Sequence, residues 1–520
     1  MPLPEIVPLE LSQANPGDLP DRKGMIRLAQ YTGTNGPRDL FSSFEPNFFE
    51  KYSLAFLKAL GQEEIVIGYD GSLYHELISN VVQSKLRISG NHIYHADKPC
   101  SVPEFMFLCK QVKRCGLFFG RSHSPRQYIG LKLVISANSL IKLFSKAGWD
   151  LDSREREYLE GVYGFLPKSA APIIEDELNS TYKMVSPQRI GKIEMIDMVQ
   201  NREEFVSSIS SQIPISKIEG DYIIDCRHSM AGLVWELIAP LTQGNIQLTN
   251  NKLNPIAEDR DPRTIWDKLS QIYTNNKQGV FSHDADADRI FLIKPPGENV
   301  EIIKSQEKAF ALGIMAEYKV NPPEEYIFVQ ERLNLTILKT LEKLSSKIFA
   351  TSQGEPPFFI GLIELLLKYP HLSHISGADY TDIFFSRQHP IAMKMPFLQT
   401  LWSMYWFTND DFPLFPISFE RQIEISIPSM NYVQRLKFLF ERVHGLEKYL
   451  TERFQIISRL ELDGRWYLLS DINENFSILS LRPSGTTRAI KAHIESSSED
   501  KNSKKDISAL EKYITKNFSI

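Results

Sequence analysis

From Glu63 to Asp70 the chain reads EEIVIGYD, and HELISNVVQSKLRISG follows a few residues later. The first stretch is a short apolar run closed by Gly and Asp, the pattern of a strand buried on both faces. The second carries its apolar residues at helical spacing and ends on Gly90, a position suited to a C-cap. The same strand signal returns in CGLFFG, LKLVIS, YIIDC, GVFS, IFLI, YIFVQ and KIFATSQG. Buried strands alternating with helices restrict the chain to α/β units on a mostly parallel sheet, where ligands gather beyond the carboxyl ends of the strands.

At 520 residues the chain has room for three or four domains of roughly 100–200 residues each. The expected organisation is a Pro-rich, extended arm over residues 1–24 and four domains over 25–190, 191–302, 303–425 and 426–520. The segment from Phe397 to Phe415 reads as aromatic and irregular. SSSEDKNSKKD reads as a solvated loop before a last helix, ISALEKYITKNF. A formal net charge of −5 argues against nucleic-acid binding by bulk electrostatics. Cys100, Cys109, Cys115 and Cys226 contain no CxxC pair, so neither zinc nor a disulfide framework is indicated. The N-terminus lacks the basic start and apolar run of a secretory signal, and no run reaches a membrane-spanning length. A cytoplasmic protein without membrane or nucleic-acid partners is expected.

Four loops carry candidate chemistry. SHDADADRIFLI places Asp284, Asp286 and Asp288 alternately, on one face if the backbone is extended. At about 6 Å and an effective dielectric near 20, each like-charged pair costs a few kcal/mol, so a cation or open water is required. An EF-hand needs Gly and an acid where Arg289 and Pro295 stand, which excludes it. Three hard oxygens suit magnesium, and Arg289 offers a fork for a phosphate or carboxylate. GRSHSPRQYIGLK surrounds Ser122 and Ser124 with Arg121, His123, Arg126 and Lys132, a cationic nest for a phosphoserine; the alternative is a surface loop with a kinase site at Ser124. YTGTNGPRDLF brackets Thr34 and Asn35 with Gly33 and Gly36 ahead of Arg38, a tight turn. LRPSGTTRAIKAHIE, with Arg482, Ser484, Gly485 and Thr486, can cradle an anion.

In this order the loops resemble those of the α-D-phosphohexomutase superfamily, the phosphoglucomutases and phosphomannomutases. Gly33–Arg38 is similar to the family's G-T-S-G-x-R turn, and Gly120–Pro125 with Gly130 and Lys132 to T-A-S-H-N-P followed by G-x-K. Asp284–Arg289 is similar to D-G-D-A-D-R with Ala285 for Gly, and Arg482–Thr486 to R-P-S-G-T. The resemblance implies an α/β fold of four domains around a central cleft, three of them related with mixed sheets and the last a smaller α+β domain. It implies that Ser122 is phosphorylated and completes a magnesium site with Asp284, Asp286 and Asp288. Lys132, Arg38 and His123 then serve the reacting end, and Arg482, Ser484, Gly485 and Thr486 hold the non-reacting phosphate. Thr34, Arg289 and Asp379 are further substrate-binding candidates. The implied reaction interconverts hexose 1-phosphate and hexose 6-phosphate through a hexose 1,6-bisphosphate, in a monomer or homodimer.

Two motifs depart from the family. SGADYTDIFF replaces G-E-x-S-G, keeping Gly377 but placing Ala378 at the acid; Asp379 or Asp382 is then the candidate substitute. GYDGSLY has Ser72 where the family's G-x-D-x-R has arginine. An impaired relative acting as a binding or regulatory protein is therefore an alternative. A haloacid-dehalogenase-like phosphatase with Asp284 as nucleophile is another, but it leaves the Ser122 and Arg482 loops unexplained.

Overall fold

A computed structural model describes residues 6–8, 36–122, 124–144, 151–167, 170–179, 190–258, 260–265, 268–269, 279–294, 302–320, 327–330, 335, 347–350, 355–370, 375–378, 395–409, 419–427, 429–430, 432–461, 464–470, 475–483, 489–497 and 501–519. The chain forms two compact units. One comprises Arg22–Pro323 with Leu365–Phe412, the other Met1–Asp21, Glu324–Glu364 and Pro413–Ile520.

The first unit contains two sheets. Its strands are β1 (Arg38–Leu40), β2 (Glu64–Tyr69), β3 (His92–Ala96), β4 (Gly116–Phe119), β5 (Tyr128–Ser136), β6 (Tyr163–Phe165), β7 (Ile193–Ile196), β8 (Asp221–Asp225), β9 (Asn245–Thr249), β10 (Gly279–His283) and β11 (Ile290–Lys294). The larger sheet runs β1-β5-β4-β2-β3-β7, with β6 paired to β5. β2 is parallel to both β3 and β4, which lie on opposite sides of it, while β5 returns antiparallel to β4. The chain therefore changes direction of winding at β2 and β4. A crevice opens at such a switch point, beyond the strand ends, and ligands bind there. Asp70 follows β2, and Gly120 to Ser122 follow β4.

The second sheet repeats the device. Its order is β9-β8-β10-β11; β9 and β10 flank β8 in parallel, and β11 pairs antiparallel with β10. Asp225 is the last residue of β8, and the acidic triplet follows the carboxyl end of β10. Ile65, Val66 and Ile67 in β2 and Val280 and Phe281 in β10 have no solvent exposure, as buried parallel strands require.

The helix expected after β2 spans His75–Ile88, capped at Ser89, with Gly90 in the left-handed region at φ 92°. The Phe397–Phe415 expectation is corrected: Pro396–Asn409 is a helix in which every residue from Pro396 to Met404 is buried. A helix buried around its circumference, with polar Gln399, Thr400 and Ser403 buried too, has no amphipathic period to read. KNSKKD is likewise helical, since the last helix begins at Lys501.

In the second unit, Ile6–Pro8 and Ile327–Gln330 both pair in parallel with Lys347–Ala350. Phe419–Ser426, Ala489–Ser496, Phe476–Pro483, Arg465–Ser470 and Gln455–Glu461 form an antiparallel sheet in that order. Helices Tyr432–Thr451 and Lys501–Phe518 share its core, including Leu439, Leu446, Leu479, Ile494 and Leu510. Among the described residues no helix is long and apolar enough to cross a membrane, and all four cysteines are free and buried.

Candidate active site

The acidic loop joins β10 to β11, whose ends pair at His283 and Ile290. It is a turn, so the condition of an extended backbone is not met. The Ala287 N–H donates to the Asp284 carbonyl at 3.2 Å, Ala287 is left-handed at φ 54°, and the Asp288 N–H donates to Asp284 Oδ1 at 3.2 Å. The carboxylates converge because the backbone folds under them. Each offers an oxygen within 4.8 Å of the others', and all three side chains are buried. Ala285 is not among the residues with positive φ, so a side chain there carries no left-handed strain.

His283 closes this loop. The Trp235 indole N–H donates to its Nε2 at 2.9 Å. Indole is a donor only, so the ring proton sits on Nδ1 and is donated to the Arg289 carbonyl at 2.9 Å. Burial holds this imidazole neutral, its pKa pushed down to about 4. Sequence reading missed the role, because it depends on a tryptophan from another helix.

Lys132 supplies the cation that the opening electrostatics demanded. Its Nζ lies 2.7 Å from both Asp286 Oδ2 and Asp288 Oδ2, and the residue is 3% exposed. That excludes a solvated strand-edge lysine. Arg289 Nε lies 3.7 Å from Asp284 Oδ2 and 3.9 Å from Asp288 Oδ1. Lys132 and Arg289 thus lie beside the three acids, and Arg260 also attracts Asp286 and Asp284. Burial, with Asp288 and Asp286 adding to it, raises the Asp284 pKa well above its ordinary value.

The serine loop sits on the same framework. Gly120 N–H donates to the Gly130 carbonyl at 3.0 Å. A Cβ on Gly130 would lie 2.7 Å from the Gly120 carbonyl oxygen and 3.2 Å from Arg38 Cγ, so glycine is required for β1, β5 and the serine loop to meet. Arg38 pairs with Gly130, two residues from Lys132. Gly36 packs on the same strand: its φ is +145°, and a Cβ there would lie 2.0 Å from the Leu131 carbonyl oxygen. Ser122 is 2% exposed and left-handed at φ 51°, a conformation that surrounding structure must impose on a non-glycine residue. Arg126 is not in the nest, since it is exposed and lies 3.3 Å from Glu258. The acidic loop docks on the start of helix Val102–Val112: the Val102 N–H donates to the Asp286 carbonyl at 3.1 Å.

Arg482 ends the strand Phe476–Pro483, opposite Lys491. Thr34, His123, Asp379, Ser484, Gly485 and Thr486 lie outside the described residues.

The family model for domain I of phosphoglucomutase/phosphomannomutase, an α/β/α domain, matches residues 29–160. A phosphoglucosamine/phosphogalactosamine mutase of Sulfurisphaera tokodaii is 23% identical over 287 residues, covering 52% of this chain and 56% of the relative. The chain thus spans about half the length of the curated relatives it matches. Among solved structures, a phosphoglucomutase/phosphomannomutase family protein from Burkholderia thailandensis superposes with a TM-score of 0.67 at 13% identity, covering 94% of this chain and 96% of that one. Parafusin, a phosphoglucomutase from Paramecium solved in an open form, gives 0.60 at 13% identity over 90% of each chain. Residues 29–160 thus match domain I of the phosphoglucomutase/phosphomannomutase family, and the overall fold is similar to that of these structures.

The mixed sheets of this chain are arranged like those of these solved structures. Its acidic loop also fits a divalent cation on its own geometry. Among the described residues, Asp284 Oδ2 and Asp286 Oδ1 are buried without a hydrogen-bond partner, and the donors are all hard oxygens.

Proposed function

We propose that this chain is a phosphohexomutase that moves a phosphoryl group between the 1- and 6-oxygens of a hexose phosphate through a phosphorylated Ser122 and a hexose 1,6-bisphosphate. The observation that supports this most is Lys132. It lies on the strand that follows the serine loop, and its ammonium rests on two of the three aspartates, so the elements bearing Ser122 and the acids meet at one buried place.

In the proposed cycle the bond from Ser122 Oγ to phosphorus breaks as a bond forms from phosphorus to the free sugar hydroxyl. The hydroxyl proton ends on Ser122 Oγ. The bisphosphate turns over, and the reverse transfer returns its other phosphoryl group to the serine. Asp284, Asp286 and Asp288 would hold magnesium, which when bound supplies withdrawal of charge from the transferring group. Arg38 and Lys132 contribute fixed positive charge at that end, with His123 beside the serine. Arg482, Ser484, Gly485 and Thr486 grip the phosphate that does not react, and Thr34, Arg289 and Asp379 contact the substrate.

Coupled assays over the 1- and 6-phosphates of glucose, mannose, glucosamine and N-acetylglucosamine, with and without magnesium, test this reading. Intact mass should show about 80 Da on Ser122, lost in Ser122→Ala. Activity on at least one pair is expected, because burying three acids has no evident use in an inactive protein. Silence on all of them from folded, phosphorylated protein would favour a regulatory relative, the alternative motivated by Ala378 in place of the family's acid. An acid-labile phosphate on Asp284 would support the phosphatase instead.

A further inference from the structure

Two departures from the family's motifs become one feature in three dimensions. Position 72 has lost an arginine, and position 121, alanine in T-A-S-H-N-P, has gained one. Arg121 Nε donates to Ser72 Oγ at 3.3 Å, so the new guanidinium reaches the place that the old one left. A second arginine joins it from the loop after β9: Arg260 Nη1 donates to the same oxygen at 2.5 Å. The backbone beneath is fixed by Asp70, whose Oδ1 accepts the Ser72 N–H at 2.8 Å and whose Oδ2 accepts the Arg121 N–H at 3.2 Å.

This cluster is cationic and sealed. Arg121 and Arg260 are each 1% exposed. Burial lowers the pKa of both, that of Arg121 to about 10, which leaves them charged at neutral pH. His75, the other titratable group facing Asp70, lies 3.4 Å away with burial depressing its pKa, so it adds no charge. Both guanidiniums are attracted by Asp70, Arg260 also by Asp286 and Asp284 and Arg121 by Glu258. Arg121 Nη2 donates to the Ala257 carbonyl and Arg260 Nη2 to the His228 carbonyl at 3.3 Å. Among the described residues, Arg121 Nη1 and Arg260 Nε are buried with no acceptor. Buried like charges with unfilled donors await an anion, and the residue next to Arg121 is Ser122.

We propose that Arg121 and Arg260 form a pocket for an oxygen of the phosphate on Ser122, replacing the single arginine that the family carries at position 72. The pocket rests on the phosphoserine reading above. Asp70 aims it, as a positioning residue.

The test compares melting temperatures of the full chain with and without phosphate on Ser122, loaded from glucose 1,6-bisphosphate and verified by intact mass, in wild type, R260Q, R260K and R126Q. Phosphorylation should stabilise wild type and R126Q equally. The increment should fall by at least half in R260Q and stay intermediate in R260K, which also serves if R260Q does not fold. An undiminished increment in both Arg260 variants overturns the pocket and leaves the phosphoserine intact. Failure of the wild type to take phosphate at Ser122 overturns the underlying reading as well. Titration of unphosphorylated chains with inorganic phosphate separates the remaining source: a weakening in R260Q confined to this arm shows that the pocket serves a free phosphate and overturns the serine assignment.

Discussion

At the scale of single residues, the acidic loop is held at a cost that a cation removes. Asp284 is fully buried, with its pKa raised by burial and by its two acidic neighbours. In a chelator, Asp284→Asn should therefore melt above wild type, by an amount corresponding to about 1–2 kcal/mol of relieved charge burial. In millimolar magnesium the order should reverse, because the variant lacks one ligand; paired thermal melts read both. His75 gives a pH dependence of definite sign. It is fully buried and its pKa is lowered, chiefly by burial and despite Asp70, so the unfolded chain binds a proton that the folded chain refuses. Stability should thus be intact above the ordinary histidine pKa near 6.5 and decline as pH falls from there toward the folded value. Asp70, whose pKa is lowered although burial opposes it, because His75, Arg260 and Ser72 outweigh that burial, acts in the same direction but only below about pH 4. His75→Gln should lose less stability than wild type between pH 7.5 and 5.5. Equal losses would show that another group carries the proton.

At the scale of elements, the loops are positioned by strand ends and helix starts. Helix Val102–Val112 opens with a capping box in which Glu104 accepts from the Ser101 N–H at 2.8 Å and Ser101 Oγ from the Glu104 N–H at 3.3 Å. The other Glu104 oxygen takes Arg202 Nε at 2.6 Å, both side chains being buried. Since this helix start also holds the Asp286 carbonyl, Glu104→Ala should cost about 3–5 kcal/mol by stranding Arg202, and magnesium affinity should weaken with it. Glu104→Leu combined with Arg202→Met should cost less than Glu104→Ala alone, and calorimetry of the cycle reads the difference. Much of this was legible beforehand. EEIVIGYD and GVFS announced buried strands by composition, and the acidic triplet follows GVFS directly in the sequence. What stayed hidden depends on partners distant in sequence: the left-handed Ala287 that turns the acidic loop, the Trp235 contact that sets the His283 tautomer, and Arg260, whose loop carries no local signal. The helix Pro396–Asn409 was missed for a different reason, since burial on every side erases periodicity.

At the scale of the whole molecule, the chain does not fill its units in order. The segment read as an N-terminal arm contributes a strand, Ile6–Pro8, in register with Ile348–Ala350, and both belong to the unit that also contains Pro413–Ile520. Closing so long a loop costs only logarithmically in its length, so three backbone pairs can repay it when the strand they complete is otherwise an edge. Without Ile6–Pro8, Lys347–Ala350 keeps Ile327–Gln330 on one side and presents unpaired amides on the other, the configuration that invites aggregation. A chain lacking residues 1–9 should therefore exchange the amides of residues 348–350 at least about tenfold faster, while those of Glu64–Tyr69 in the other unit keep their protection. Magnesium should still raise the melting temperature of that other unit, because the acidic loop lies within it. If the amides at 348–350 are equally protected with and without the N-terminal residues, the strand pairing contributes nothing to stability and the sheet is closed by something else.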